Sequence, residues 1–163
     1  MLQKIVPFLW FDTQAEEAAT LYTSLFANSR VLEVSRYAEG SPGPAGQVMT
    51  VSFELEGQRF TALNGGPQFP FTEAISFFVN CENQEEVDRL WDALTASGGE
   101  ESMCGWLKDR FGVSWQIIPS ALMRLMGDPD GERAGAVMQA MLKMHKIEVP
   151  VLQAAYDQAK DPA

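Results

Sequence analysis

Apolar positions recur at helical spacing in two stretches of the chain. Ala18, Leu21, Tyr22, Leu25 and Phe26 form one stripe, and Val87, Leu90, Trp91 and Leu94 form another, so each stretch predicts an amphipathic helix. Paired acids fall in the first turn of each helix, where the helix dipole favours negative charge. Asp12 or Thr13 suits the first N-cap and Asn83 the second, and Gly98-Gly99 supplies a left-handed stop. Residues 5–11 are a continuous apolar run, as expected of a covered strand. Residues 30–37 and 47–55 are β-rich and are joined by a loop, 38–46, whose glycines and prolines break any ladder. Glu56-Gly57 signals a hairpin leading into 59–64, and 65–70 reads as a linker. Strands at 73–80, 101–108 and 113–118 follow, with a turn at 109–112. After Pro119 the pattern is helical: 120–126 with Ser120 as cap, 132–146, and a last helix from Pro150 to about Ala159.

The two helical stretches echo one another. At a constant offset of 69 residues Phe8 meets Phe77, Glu16-Glu17 meet Glu85-Glu86, and Leu21 and Leu25 meet Leu90 and Leu94. A duplicated unit accounts for this better than chance, because the matches fall on equivalent structural positions. The expected fold is α+β: two βαβββ modules, 1–66 and a more compact 67–119, then C-terminal helices over 120–163 that pack on the core or on a partner subunit. Five of the eight methionines lie in that tail, as adaptable packing material.

Composition narrows the class. A hydrophobic content of 46% is that of an ordinary globular protein. A net charge of −10, with no clustered Lys or Arg, argues against nucleic acid and against anionic membrane surfaces. No apolar run approaches the ~18–20 residues of a membrane span, and the N-terminus has no small-residue cleavage site, so a signal peptide is not expected. Cys81 and Cys104 read as two reduced thiols of a cytoplasmic protein, with one disulfide between them as the alternative.

Pro7-Phe-Leu-Trp-Phe-Asp12 followed by Ala15-Glu-Glu-Ala18, then Asn64-Gly-Gly-Pro67, the stretch from Cys104 to Pro119, and Met141 to Ile147 resemble the PhnB-like branch of the vicinal oxygen chelate (glyoxalase and dihydroxybiphenyl dioxygenase) superfamily. The stretch from Cys104 to Pro119 is the most specific of these. The branch is commonly labelled 3-demethylubiquinone 3-methyltransferase-like. The resemblance implies a homodimer, often with exchanged elements, and a pocket shared between modules. It also implies a divalent metal held by His, Glu or Gln from the first and last strand of each module. Here Ile5 falls where the usual histidine stands, Leu63 or Asn64 takes the fourth-strand position, residues 74–76 the fifth, and Gln116 replaces the last-strand acid. Only Gln116 and Asn64 offer a donor, both as neutral amides. The sole histidine, His145, lies in the tail and reads as a surface residue. No metal and no other cofactor are therefore expected. Gly65-Gly66 is followed by prolines instead of a helix, so a nucleotide cradle is not expected either.

A metal-independent small-molecule-binding protein is the leading expectation, with an aromatic, amide-lined pocket suited to a planar apolar ligand and Trp10, Asn64, Ser76, Trp106, Trp115 and Gln116 as candidate ligand-binding residues. The alternative is an enzyme, a lyase, isomerase or transferase, for which Asp109 and Cys104 are the weak acid/base and thiol candidates. For Asp109 a turn-forming role competes, and for Cys104 a buried structural one.

Overall fold

The computed structural model describes residues 2–159. Met1 and positions 160–163 of the expected tail lie outside the described residues. The chain divides after Phe71 into two compact units. Among the described residues no helix is long and apolar enough to cross a membrane.

The first unit runs β1 (Phe8–Phe11), α1 (Ala15–Leu25), β2 (Arg30–Arg36), β3 (Val48–Leu55) and β4 (Gln58–Asn64). Its sheet has the order β1-β4-β3-β2, with β1 parallel to β4 and the other pairs antiparallel. Glu56 and Gly57 both have positive φ, the geometry that lets a two-residue turn follow the twist of β3 and β4. Side chains alternate across each strand. Val51, Phe53 and Leu55, with Phe60, Ala62, Leu9 and Phe11, are buried on the face that meets α1. Ala15, Ala18 and Ala19 let that helix approach closely, and Tyr22 packs on Phe53 with ring centroids 6.3 Å apart. The opposite face carries Phe8, Trp10, Thr50, Ser52, Thr61 and Leu63 and is less covered.

The expected strand over 5–11 is shorter and barer than its apolar run suggests. Pro7 has no N–H to pair, so regular pairing starts at Phe8, with the Thr61 N–H bonded to the Pro7 carbonyl at the boundary. Ile5 is 86% exposed and Phe8 61% exposed.

The second unit runs β5 (Ser76–Cys81), α2 (Gln84–Thr95), β6 (Glu100–Glu101), β7 (Trp106–Lys108), β8 (Ser114–Pro119), α3 (Ser120–Met126), α4 (Gly131–Met141) and α5 (Val149–Gln158). Its sheet order, β5-β8-β7-β6, repeats that of the first. The helices begin at Ala15 and Gln84, which is the 69-residue offset. The strands do not share it. Three residues, Asp12 to Gln14, join β1 to α1, whereas two, Glu82 and Asn83, join β5 to α2. Phe8 therefore corresponds to Phe78 and not to Phe77. Phe78 is 46% exposed on the face away from α2, while Phe77 packs edge-on against Trp115 at 5.2 Å on the α2 side.

Asn83 caps α2, accepting from the Glu86 N–H at 2.9 Å, and the Glu86 carboxylate reaches back to the Glu82 N–H. The strand expected over 101–108 is instead a hairpin. Cys104 and Gly105 have φ of 60° and 83°, and the Trp106 N–H returns to the Met103 carbonyl, so the chain reverses between β6 and β7. Ser120 lies inside α3 and not at its cap, a place Pro119 takes without a side-chain bond. The helix expected over 132–146 stops at Met141, and Asp130 caps it.

The segment between α4 and α5 ties the tail to this unit. The Cys104 and Gly105 N–H groups donate to the Met144 and His145 carbonyls, both at 2.8 Å. The Gln84 amide donates to the Ile147 carbonyl at 2.9 Å and accepts from the Val149 N–H at 2.7 Å. Around this clamp Ile118, Leu122, Leu125, Val137, Met144, Ile147 and Leu152 make one buried cluster. Gly105 has to be glycine, since a Cβ there would lie 2.8 Å from Ile118 Cδ1 and 3.0 Å from Ile147 Cγ1.

Candidate functional site

In the first unit the carboxyl ends of β1, β2 and β4, the start of β3 and the start of α1 gather at one end of the sheet. With the loop over 38–47 they enclose a cleft of about 650 Å³. Its walls carry Asp12, Thr13 and Glu16 on one side, Arg36, Tyr37 and Gln47 on another, and Asn64 and Gln68 on the third. The glycines of 43–46 and 65–66 line it as well.

Asn64 joins three of these elements. In the β1–β4 register it pairs with Phe11, so its side chain belongs to the helix face. Its Oδ1 accepts from the Ala15 N–H at 2.8 Å, and its Nδ2 donates to the Val48 carbonyl at 3.2 Å. The Tyr37 hydroxyl donates to the Asn64 carbonyl. Asn64 therefore supplies the cap expected of Asp12 or Thr13, and Gln14, at the N-cap position, makes no side-chain capping bond. Replacing Asn64 with alanine should destabilise the protein by about 1–3 kcal/mol, from one lost cap and one lost hydrogen bond. At ~2–4 °C per kcal/mol this is a clear drop in thermal midpoint. A melt unchanged within about 1 °C would remove Asn64 from that role.

Trp10 lies beside the cleft without lining it. Its indole N–H donates to the Gly66 carbonyl at 2.9 Å, Phe69 packs edge-on at 4.9 Å, and its ring covers Gly65 so closely that a Cβ there would come within 2.4 Å.

In the second unit three of the expected residues come together on the face away from α2. The Gln116 amide donates to Ser76 Oγ at 2.9 Å, and Trp106 stands opposite Gln116 in the β7–β8 register. Trp115 is on the other face, in the core, with its indole N–H donating to Asp109 Oδ2 at 2.9 Å. Asp109, 2% exposed, also accepts from the N–H groups of Phe111 and Val113 at 2.9 and 3.0 Å. All these bonds close the turn between β7 and β8. Cys104 sits at the tip of the β6–β7 turn, and Cys81 is buried; both are free thiols. Burial pushes the Cys81 thiol up to about 12, so at neutral pH it stays protonated and inert.

The metal implied by the family resemblance finds no fitting donor set. Among the described residues no group of three His, Cys, Asp or Glu could hold an ion. Asn64 spends its Oδ1 on a helix N–H, Ile5 is exposed carbon, and His145 Nδ1 lies 3.0 Å from the Ser102 carbonyl in the tail clamp. A nucleotide-borne methyl donor fits no better, since Gly65-Gly66 follows β4 but no helix begins before β5.

Several cleft residues were not singled out as ligand-binding from the sequence: Arg36, Tyr37, Gln47, Gln68, Thr13 and Glu16. The one available signal was the Gly- and Pro-rich loop over 38–46, since long irregular loops often carry function.

Two four-stranded sheets of identical order, each with its helix inserted after the first strand, make a glyoxalase-like fold. The fosfomycin resistance protein FosX from Listeria monocytogenes shares that fold, with a TM-score of 0.51 at 18% identity over 76% of this chain and 97% of that one. Residues 3–118 match the 3-demethylubiquinone-9 3-methyltransferase family, and the chain belongs to that PhnB-like family. A putative 3-demethylubiquinone-9 3-methyltransferase, PhnB protein, from Bacillus cereus is 40% identical over 72% of this chain and 100% of its own, with a TM-score of 0.67. Protein PA1353 from Pseudomonas aeruginosa is 25% identical over 72% of this chain and 98% of its own, with a TM-score of 0.59. No curated protein matches. The family match covers residues 3–118 and so does not reach Met141 to Ile147.

Proposed function

We propose that this protein binds a small polar molecule in the cleft of its first unit, without a metal. The cleft itself carries this reading: about 650 Å³ lies within the ~300–1,000 Å³ of small-molecule sites. Its lining mixes groups in the way a polar ligand needs. Arg36 donates to the Gly46 carbonyl at 3.0 Å and has further N–H groups to offer. Asp12 and Glu16 accept on the facing wall, and the amides of Gln47 and Gln68 do both. A homodimer belongs to the same reading, because Phe8 and Phe78 leave aromatic surface bare on equivalent strands. Methyl transfer, the activity in the family's description, has no support from a side chain in this cleft.

Thermal shift against a panel of polar metabolite-like compounds tests the proposal. At least one compound should raise the midpoint, the shift should persist in excess chelator, and Arg36→Ala should reduce it. A panel without any shift sinks the binding reading, and a shift abolished by chelation sinks its metal independence.

A further inference from the structure

A hydroxyl without a partner among the described residues lies beneath an ion pair in the second unit. Ser114 opens β8, between Ser76 on β5 and Lys108 on β7. It is 2% exposed, and its Oγ makes no hydrogen bond to any described residue. Folded proteins rarely leave a buried hydroxyl in that state, because its lost hydration is not replaced. The strand order places Ser114 between the two ends of a salt bridge: Lys108 Nζ reaches across β8 to Glu73, 2.5 Å away. A cavity of about 120 Å³ opens there, lined by Glu73, Glu100, Ser102, Trp106, Lys108 and Ser114 among others.

Charge and shape decide what suits it. Lys108 is the one cation of the described lining and is already committed to Glu73, whose carboxyl it holds below the usual carboxylate range. Glu100 adds a negative charge, and Glu101, also in the lining, takes the Trp91 N–H at 2.7 Å. An anion would meet net repulsion. A primary ammonium carries three N–H donors, for which Ser114 Oγ, Glu73 and Glu100 are acceptors, and the Trp106 ring adds a face that attracts cations. At ~30 Å³ per water-sized group the space holds about four heavy atoms. We infer that this cavity is a binding site for a small primary ammonium group, separate from the cleft of the first unit.

Two-dimensional NMR of the full chain, following the indole and amide signals of Trp106 and Lys108, tests this with ethylammonium as the probe. Saturable shifts in roughly the millimolar range are expected, near the ceiling for three heavy atoms. Acetate should leave the signals in place. Tetramethylammonium, which has the charge but no N–H donors, should bind at least about tenfold more weakly. Ser114→Ala should weaken ethylammonium by a similar factor while keeping the native spectrum. If that variant fails to fold, the difference between the two cations on the unaltered protein decides the matter. Equal response to acetate, no saturation, or undiminished binding by Ser114→Ala would leave a pocket of ordered water and overturn the inference. Because the readout sits in the second unit, a failure of the cleft proposal would not alter it.

Discussion

Replacing Asp109 with alanine is expected to destabilise the protein by about 3–5 kcal/mol, which is most of the margin of a small folded unit. The carboxylate accepts three hydrogen bonds, from the Phe111 and Val113 N–H groups and from the Trp115 indole. Removing it strands these donors where little water reaches, at about 1–3 kcal/mol each before relaxation. At ~2–4 °C per kcal/mol the thermal midpoint should fall by roughly 10 °C. Asp109→Asn should fall between the two, because one amide oxygen can still serve both backbone donors while the NH2 group then faces the Trp115 N–H. Thermal melts followed by tryptophan fluorescence check both. An alanine variant that melts with the parent would mean the turn closes without its anchor. If Asp109 acted instead as a catalytic acid, Asp109→Asn would keep the parent's stability and lose only turnover.

Truncation after Pro119 should abolish soluble, monodisperse protein. It removes Leu122, Leu125, Val137, Met144, Ile147 and Leu152 from the cluster and lays Ile118 bare. It also strips the Cys104 and Gly105 amides of their acceptors and leaves the Gln84 side chain with Asp88 alone of its three partners. Each large apolar side chain returned to water forfeits about 1.5–3 kcal/mol, and an open apolar patch invites aggregation. Gly105→Ala should act in the same direction and more mildly. Its φ of 83° disfavours any Cβ, and that Cβ would push against Ile118 and Ile147. Size-exclusion chromatography of the two variants is the measurement. A truncated chain that elutes as a single sharp peak would show the tail to be an accessory. The family match stops at residue 118, so the tail is outside what that match describes.

The α+β class and the duplication were legible because they rest on periodicity. The stripes of α1 and α2 bury Tyr22, Leu90, Trp91 and Leu94 as their spacing predicts. What escaped depends on contacts far along the chain or on a single residue of spacing. The cap of α1 comes from Asn64, 49 residues beyond the amide it serves, and no local motif announces it. The 69-residue echo was anchored on helices, so it carried Phe8 onto Phe77, one residue out of phase, and a one-residue slip turns every strand side chain to the other face. The hairpin between β6 and β7 turns on Cys104 at positive φ, a position where Asn or Gly would have been the readable signal. Of the residues expected to bind ligand, Ser76, Trp106 and Gln116 share one face of the second unit's sheet and not the cleft, whereas Trp115 differs from Gln116 by one position and so faces the core.

The Gln84 clamp has a consequence for synthesis. Its two partners in the tail, Ile147 and Val149, lie 63 and 65 residues further along the chain. At ~5–20 residues per second a ribosome needs roughly 3–13 s to cover that distance. For the part of this interval after β8 is made, at Pro119, the nascent second sheet has its strands but neither the segment that clamps Gln84 nor the helices that cover Ile118. Only a chain translated past Val149 can close that surface. A fragment that ends before residue 147 is therefore expected to keep Ile118 and its neighbours uncovered, the kind of apolar surface that invites aggregation.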